Sequence, residues 1–176
     1  MIVLLIFYIK DNIKYKKDYQ ISTNKICDNI IQTKDNEICY KVYNNGCYRI
    51  CFYDLLERKT KASILNISVC NMVMMTKDLL LFTEYNKMSV INVNNYKLRI
   101  IDVPGSGNIG GICMLNQNML LTGDARHVIR QWRIEGDNLI LVSKKEKAHD
   151  SYIKALSNLE PGHITLGSLD KTIKIW

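Results

Sequence analysis

His149, Ser168 and Asp170 are the residues of this chain whose types fit proton transfer and nucleophilic attack. An imidazole that deprotonates a serine hydroxyl while a carboxylate orients it is the arrangement of a hydrolase. The context argues otherwise: Ser168 lies in a Gly-Ser-x-Asp hairpin turn, not at a strand-to-helix elbow, and no oxyanion-hole glycine motif accompanies it. Gly105-Ser106-Gly107 has the outline of a phosphate loop, but neither a Lys-Thr pair nor a helix follows. The six cysteines, Cys27, Cys39, Cys47, Cys51, Cys70 and Cys113, include no C-x-x-C pair and lie far in sequence from the three histidines, so there is no zinc pattern. Cys39, Cys47 and Cys51 fall in one expected hairpin, yet without a secretory signal the expected compartment is reducing, cytoplasm or nucleus, and no disulfide is expected. No catalytic residue, metal ligand or cofactor loop is therefore expected, and the chain is read as a non-enzyme.

The elements that would hold these residues show themselves by spacing. Ile109, Ile112, Leu115, Leu120, Gly123 and Trp132 match Ile153, Leu156, Leu159, Ile164, Gly167 and Trp176, every pair 44 positions apart. Upstream, residues 79–93 repeat the strand, polar turn, strand outline of residues 119–133, with Asn92 at the tryptophan position. A further step back, residues 38–42 and 48–53 flank a turn at Asn44-Asn45-Gly46, and Tyr53-Asp54 takes the place of a Trp-Asp pair. Segments 54–64, 92–103 and 132–144 each supply one more strand, which makes a four-stranded meander per unit. The expected class is all-β, with repeats at 26–64, 65–103, 104–147 and 148–176. Residues 1–9 read as a strand too short to cross a membrane as a helix, and the polar, basic run 10–25 reads as a linker or loosely packed edge.

The segment HDSYIKALSNLEPGHITLGSLDKTIKIW, His149 to Trp176, resembles a WD40 repeat nearly throughout. It has the histidine after the outer strand, the apolar inner strand, the Gly-Ser-x-Asp turn and the closing Thr-Ile-Lys-Ile-Trp. The resemblance is good from Ile109 to Trp132 and extends in outline to residues 26–93. It implies an incomplete WD40-type β-propeller of about four blades, the last lacking its outer strand. It also implies a hydrogen-bonded network of histidine, strand hydroxyl, turn aspartate and tryptophan inside a blade. By position these are His149, Ser168, Asp170 and Trp176, with Leu166 on the neighbouring strand position. The preceding repeat keeps Trp132 and offers Thr122 as the hydroxyl, but has Gly105 where the histidine belongs and Arg126 where the aspartate belongs.

Function is then expected from a surface. Propellers of this type resemble one another in presenting narrow-side loops for recognition, which selects Asn108, Arg126, Tyr152, Lys154 and Leu169, with Tyr152 and Arg126 of the types that most often carry interface energy. The expected role is a protein-interaction scaffold without cofactor or membrane attachment. The formal charge of +7 supports an alternative, an RNA- or ribonucleoprotein-associated propeller, while a truncated product without independent function is a third reading. The Lys144-Lys145-Glu146-Lys147 cluster is read first as an exposed edge that discourages strand pairing. About four blades leave apolar faces uncovered where a ring of seven would need roughly 280 residues, so the isolated chain is expected to self-associate or to need further blades. Sedimentation velocity on the purified chain tests this: a compact monomer with no dye-accessible apolar surface would contradict it.

Overall fold

In a computed structural model of the chain, the described residues are 3–10, 14–22, 26–44, 47–67, 69–159 and 162–176. All of the regular structure among them is β. Strands β1 (Val3–Lys10) and β2 (Lys14–Ser22) pair antiparallel as a two-stranded sheet. Residues 10–25 were expected to be a linker or a loosely packed edge, and β2 falls within them. A backbone ladder needs no apolar side chains, and Tyr15, Tyr19 and Ile21, of strand-favouring types, sit two or four residues apart within the basic run.

Four further sheets follow, each a simple meander. The first is β3 (Ile26–Lys34), β4 (Glu37–Asn44), β5 (Cys47–Asp54) and β6 (Lys59–Leu65). The second is β7 (Asn71–Met74), β8 (Leu79–Thr83), β9 (Lys87–Asn92) and β10 (Leu98–Asp102). The third is β11 (Ile109–Asn116), β12 (Met119–Asp124), β13 (Ile129–Glu135) and β14 (Asn138–Lys145). The last has three strands, β15 (Ile153–Leu159), β16 (His163–Ser168) and β17 (Ile173–Ile175). Registers place Tyr53 opposite Ile38, Asn92 opposite Leu79 and Trp132 opposite Leu120. Trp176 and Ile164 exchange both backbone hydrogen bonds. Tyr53, Trp132 and Trp176 thus occupy one equivalent place in their sheets, whereas in the second sheet that place belongs to Ile91, opposite Leu80, and Asn92 lies one register step further on.

The turns are built from the residues their geometry needs. Asp124 Oδ1 accepts the Arg126 and Val128 N–H groups, at 2.8 and 3.2 Å, and lets His127 take φ 66°. Lys171, 44 residues after His127, takes φ 68° in a matching bend, but there Ser168 holds the Asp124 place and accepts the Asp170 N–H at 3.2 Å, while Asp170 Oδ1 accepts the Thr172 N–H at 2.9 Å. On the outer hairpins Asp54 Oδ1 and Asn92 Oδ1 close turns in the same manner.

The chain divides into two compact units, residues 1–30 with 36–67 and residues 31–35 with 68–176. In the first, Ile38, Tyr40, Val42 and Cys51 form a small core. Cys39 pairs across the ladder with Phe52 and Tyr40 with Cys51, so Cys39 and Cys51 point to opposite faces and form no disulfide with each other. The side chain of Cys47 lies outside the described residues, as do Asn45 and Gly46 of the expected turn.

In the second unit the central strands β8, β9 and β12 are buried on both faces. Leu120 and Trp132 pack with Leu79, Leu81, Val90 and Ile109 between the second and third sheets. Leu121 and Ile129 pack with Ile153 and Leu166 between the third and the last. The outer strands β10 and β14 are mostly exposed. Sheet-to-sheet approach depends on small residues: a Cβ on Gly123 would sit 2.5 Å from Ile153 Cγ2, and one on Gly110 would sit 2.5 Å from the Tyr152 hydroxyl. Gly123→Ala should therefore push β15 off β12 and cost about 1–3 kcal/mol, the usual range for overpacking. An unchanged urea midpoint would show that this approach is not tight.

Candidate functional site

His149 is fully buried. Its Nδ1 lies 2.7 Å from Asp170 Oδ2 and 3.3 Å from Thr172 Oγ1, and the Asp150 N–H reaches the same carboxylate oxygen at 3.0 Å. Hydrogen bonds from the Thr172 hydroxyl, then from His149 and the Asp150 and Thr172 backbone, hold the Asp170 carboxyl well below the usual carboxylate range. An ionised Asp170 accepts, so the Nδ1 that faces it is a donor, while Nε2 is buried without a hydrogen-bond partner. Ser168 does not approach the ring, and its Oγ accepts the Asp170 N–H at 3.2 Å. Ser168 and His149 therefore form no nucleophile-base pair, and the hydroxyl that does lie beside the ring, Thr172 Oγ1, sits on its Asp170 side.

Superposing the third and last sheets by their 44-residue offset explains the unpartnered nitrogen. Leu166 stands where Thr122 stands one sheet earlier, so the hydroxyl is missing from the last sheet. The third sheet has the other half of the network: Trp132 Nε1 donates to Thr122 Oγ1 at 2.9 Å, and there is no imidazole because Gly105 occupies its place. Arg130 fills the gap from the next strand. Its guanidinium pairs with Asp124, both side chains buried, and donates through Nη2 to the Gly105 carbonyl at 3.1 Å. Lys174, its equivalent, donates to the Ala148 carbonyl at 3.0 Å. Trp176 is not brought to the His149–Asp170 pair; it is 46% exposed, with the Lys145 ammonium 5.7 Å from its ring centre. In the second sheet the buried Glu84 accepts from Ser89 Oγ at 2.5 Å and pairs with Lys87 at 3.4 Å. The repeat spacing marks Glu84 and Asp124 as turn residues but not as members of an ionic network, and it does not mark Arg130; an acidic residue where the second strand of both sheets meets its turn was the available signal.

The structure brings Asn108, Arg126, Tyr152, Lys154 and Leu169 to the same end of the third and last sheets. The Ala125 N–H donates to Asn108 O at 2.9 Å, and the Leu169 N–H donates to Tyr152 O at 3.0 Å. Asn108 Oδ1 also accepts from the Cys70 thiol at 2.8 Å. Arg126 is exposed, and its guanidinium makes one long contact, 3.5 Å to Gly105 O. Leu169 is 60% exposed. The Tyr152 ring lies against Gly110, with Lys154 Nζ 4.6 Å from its centre. Burial first, then the neighbouring Cys70 and Asp124, push its phenol up to about 12. Its hydroxyl is buried without a partner.

Beside Arg126 opens a cleft of about 500 Å³ lined by Tyr85, Asn86, Asp102, Pro104, Gly105 and Arg126 among others. At the opposite end of the sheets, Leu115, Leu121, Asn158, Ile164 and Trp176 help to line a second cleft of about 470 Å³. Among the described residues no His, Cys, Asp and Glu cluster could hold a metal ion, and no helix is long and apolar enough to cross a membrane.

The fold is that of an incomplete WD40-type β-propeller. It superposes on a chain of the mitotic checkpoint complex with a TM-score of 0.75 at 11% identity, covering 94% of this chain and 55% of that one. It superposes on U3-55K with a TM-score of 0.72 at 12% identity, covering 89% of this chain and 50% of that one. This chain thus spans about half the length of each. No protein-family model matches the sequence, and no curated protein matches it.

Thr122→Val removes the one hydroxyl that accepts from Trp132 Nε1 with little change in shape. The buried indole N–H is then unsatisfied, and stability should fall by about 1–3 kcal/mol. Equilibrium denaturation followed by Trp132 fluorescence measures it; no loss would mean that the indole finds another acceptor.

Proposed function

We propose that the chain is a non-catalytic scaffold that binds a protein partner through the loop end of its third and last sheets. The observation that carries this reading is the convergence of Arg126, Tyr152, Lys154 and Leu169 there, a guanidinium, an aromatic ring, an ammonium and an exposed leucine on rigid hairpin ends. Aromatic and Arg anchors with apolar neighbours carry most interface energy, and a surface fixed by hairpin turns loses little freedom on binding. Buried His149 belongs to the interior of its sheet, which removes the residue best suited to acid-base work from any surface.

A second reading has one observation in its favour. Arg126, Lys147, Lys154 and Lys171 are all exposed near these turns, which suits a phosphate backbone. Asp102 and Asp150 are exposed in the neighbouring segments and oppose it.

Lys154→Glu and Leu169→Asp test the proposal, since both side chains are exposed and their loss leaves the sheet core intact. Partner capture from cell extract should fall at least tenfold with the double variant and be insensitive to salt beyond a modest slope. Capture that ignores both substitutions would sink the loop-end reading. A steep log-linear salt dependence with nucleic acid in the captured fraction would favour the second reading.

A further inference from the structure

The cleft beside Arg126 has a floor and walls that the backbone holds in place. The Val103 N–H donates to Asn86 O at 3.0 Å, which ties the β8–β9 turn to the segment after β10. The Ser106 N–H and hydroxyl both donate to Val103 O, at 3.1 and 2.7 Å, and fold Pro104 and Gly105 into a tight bend with Gly105 at φ 71°. Over this floor stand three exposed side chains: Tyr85, 66% exposed, Asp102 and Arg126.

Their charges are unspent. Arg130 is neutralised by Asp124, Arg133 by Glu135, and Arg99 donates to Asn138 Oδ1 and Asp137 O. Among the described residues Arg126 has no carboxylate partner and Asp102 no cation, although both line one cleft. A guanidinium free on this scale is a fork for a carboxylate, and an unpaired carboxylate a few side chains away is a seat for an ammonium or guanidinium. The Tyr85 ring offers an apolar wall on which an aliphatic stem can lie.

We propose that this cleft seats an extended peptide segment of a partner protein that carries an acidic and a basic side chain close together. The acidic group pairs with Arg126, the basic group with Asp102, and an intervening apolar stem lies on Tyr85. A polyanion is disfavoured because Asp102 faces the same space and repels phosphate. The proposal rests on the loop end being the binding face and adds the chemistry of what it reads. Neither Tyr85 nor Asp102 was among the candidate binding residues selected from the sequence, although the repeat spacing covers both segments.

The probe is an array of decapeptides in a Gly, Ser and Leu background, each with one Glu and one Lys, at every relative spacing and in both orders, read by fluorescence polarisation with the whole chain. One group of spacings is expected to bind, and its Glu→Gln and Lys→Gln versions to bind at least tenfold more weakly. Arg126→Gln should abolish the dependence on peptide Glu, and Asp102→Asn the dependence on peptide Lys, while unchanged Trp132 fluorescence reports an intact fold. Amide NMR shifts should centre on Asn86, Val103, Gly105 and Arg126. Three results overturn the proposal: no spacing binds in an Arg126-dependent manner, the shifts fall elsewhere, or an rU10 oligonucleotide binds this cleft more tightly than any peptide. If these occur while Lys154→Glu and Leu169→Asp still abolish partner capture, only the cleft assignment fails. If capture also ignores those two substitutions, the loop-end reading fails with it.

Discussion

Burial of both faces of a central strand is the constraint on which the second unit depends. β8 and β12 have almost no solvent-facing side, because Leu120 looks toward the second sheet and Leu121 toward the last. A single meander cannot provide that cover, since its own strands lie in one plane. Stacked sheets can, and each sheet then acts as the apolar lid of its neighbour. Each fully buried side chain in such a stack contributes roughly 1.5–3 kcal/mol relative to exposure. The polar interactions described above are small against that sum, and so they are free to vary between sheets.

That freedom is visible in how the network has been divided. The third sheet has the tryptophan and hydroxyl, the last has the histidine and aspartate, and neither has all four. Loss of the imidazole is offset by a buried Arg130–Asp124 pair that reaches the same Gly105 carbonyl region. Loss of the hydroxyl in the last sheet is offset differently, by Leu166, which joins the core between sheets at the cost of leaving His149 Nε2 unpartnered.

These trades set what a single sequence reveals. Trp132 and Trp176 were legible because register admits no slippage: a shift of one residue would turn every core side chain outward, so the 44-residue offset is preserved. Thr122 was legible because it faces Trp132 within one hairpin. Arg130 was not, because it replaces a histidine that would lie 25 residues earlier, and only folding brings the two places together. β2 was legible only as a linker or a loosely packed edge, since its lysines hide the alternation of Tyr15, Tyr19 and Ile21. The cleft was illegible too: Tyr85 and Asp102 belong to different connections and meet through the Val103–Asn86 backbone bond.

The same close packing that stabilises the sheets also fixes the loop end. Gly110 leaves the space into which the Tyr152 ring settles, and Gly111 and Gly123 let β15 lie against β11 and β12 through Leu156 and Ile153. Any side chain at these three positions would lift β15, and Lys154 and Leu169 would move with it, since Leu169 and Tyr152 share a backbone bond. The surface proposed to bind is therefore not a set of loops resting on an independent scaffold. Its geometry is set by the distance between two sheets, and that distance is set by glycine.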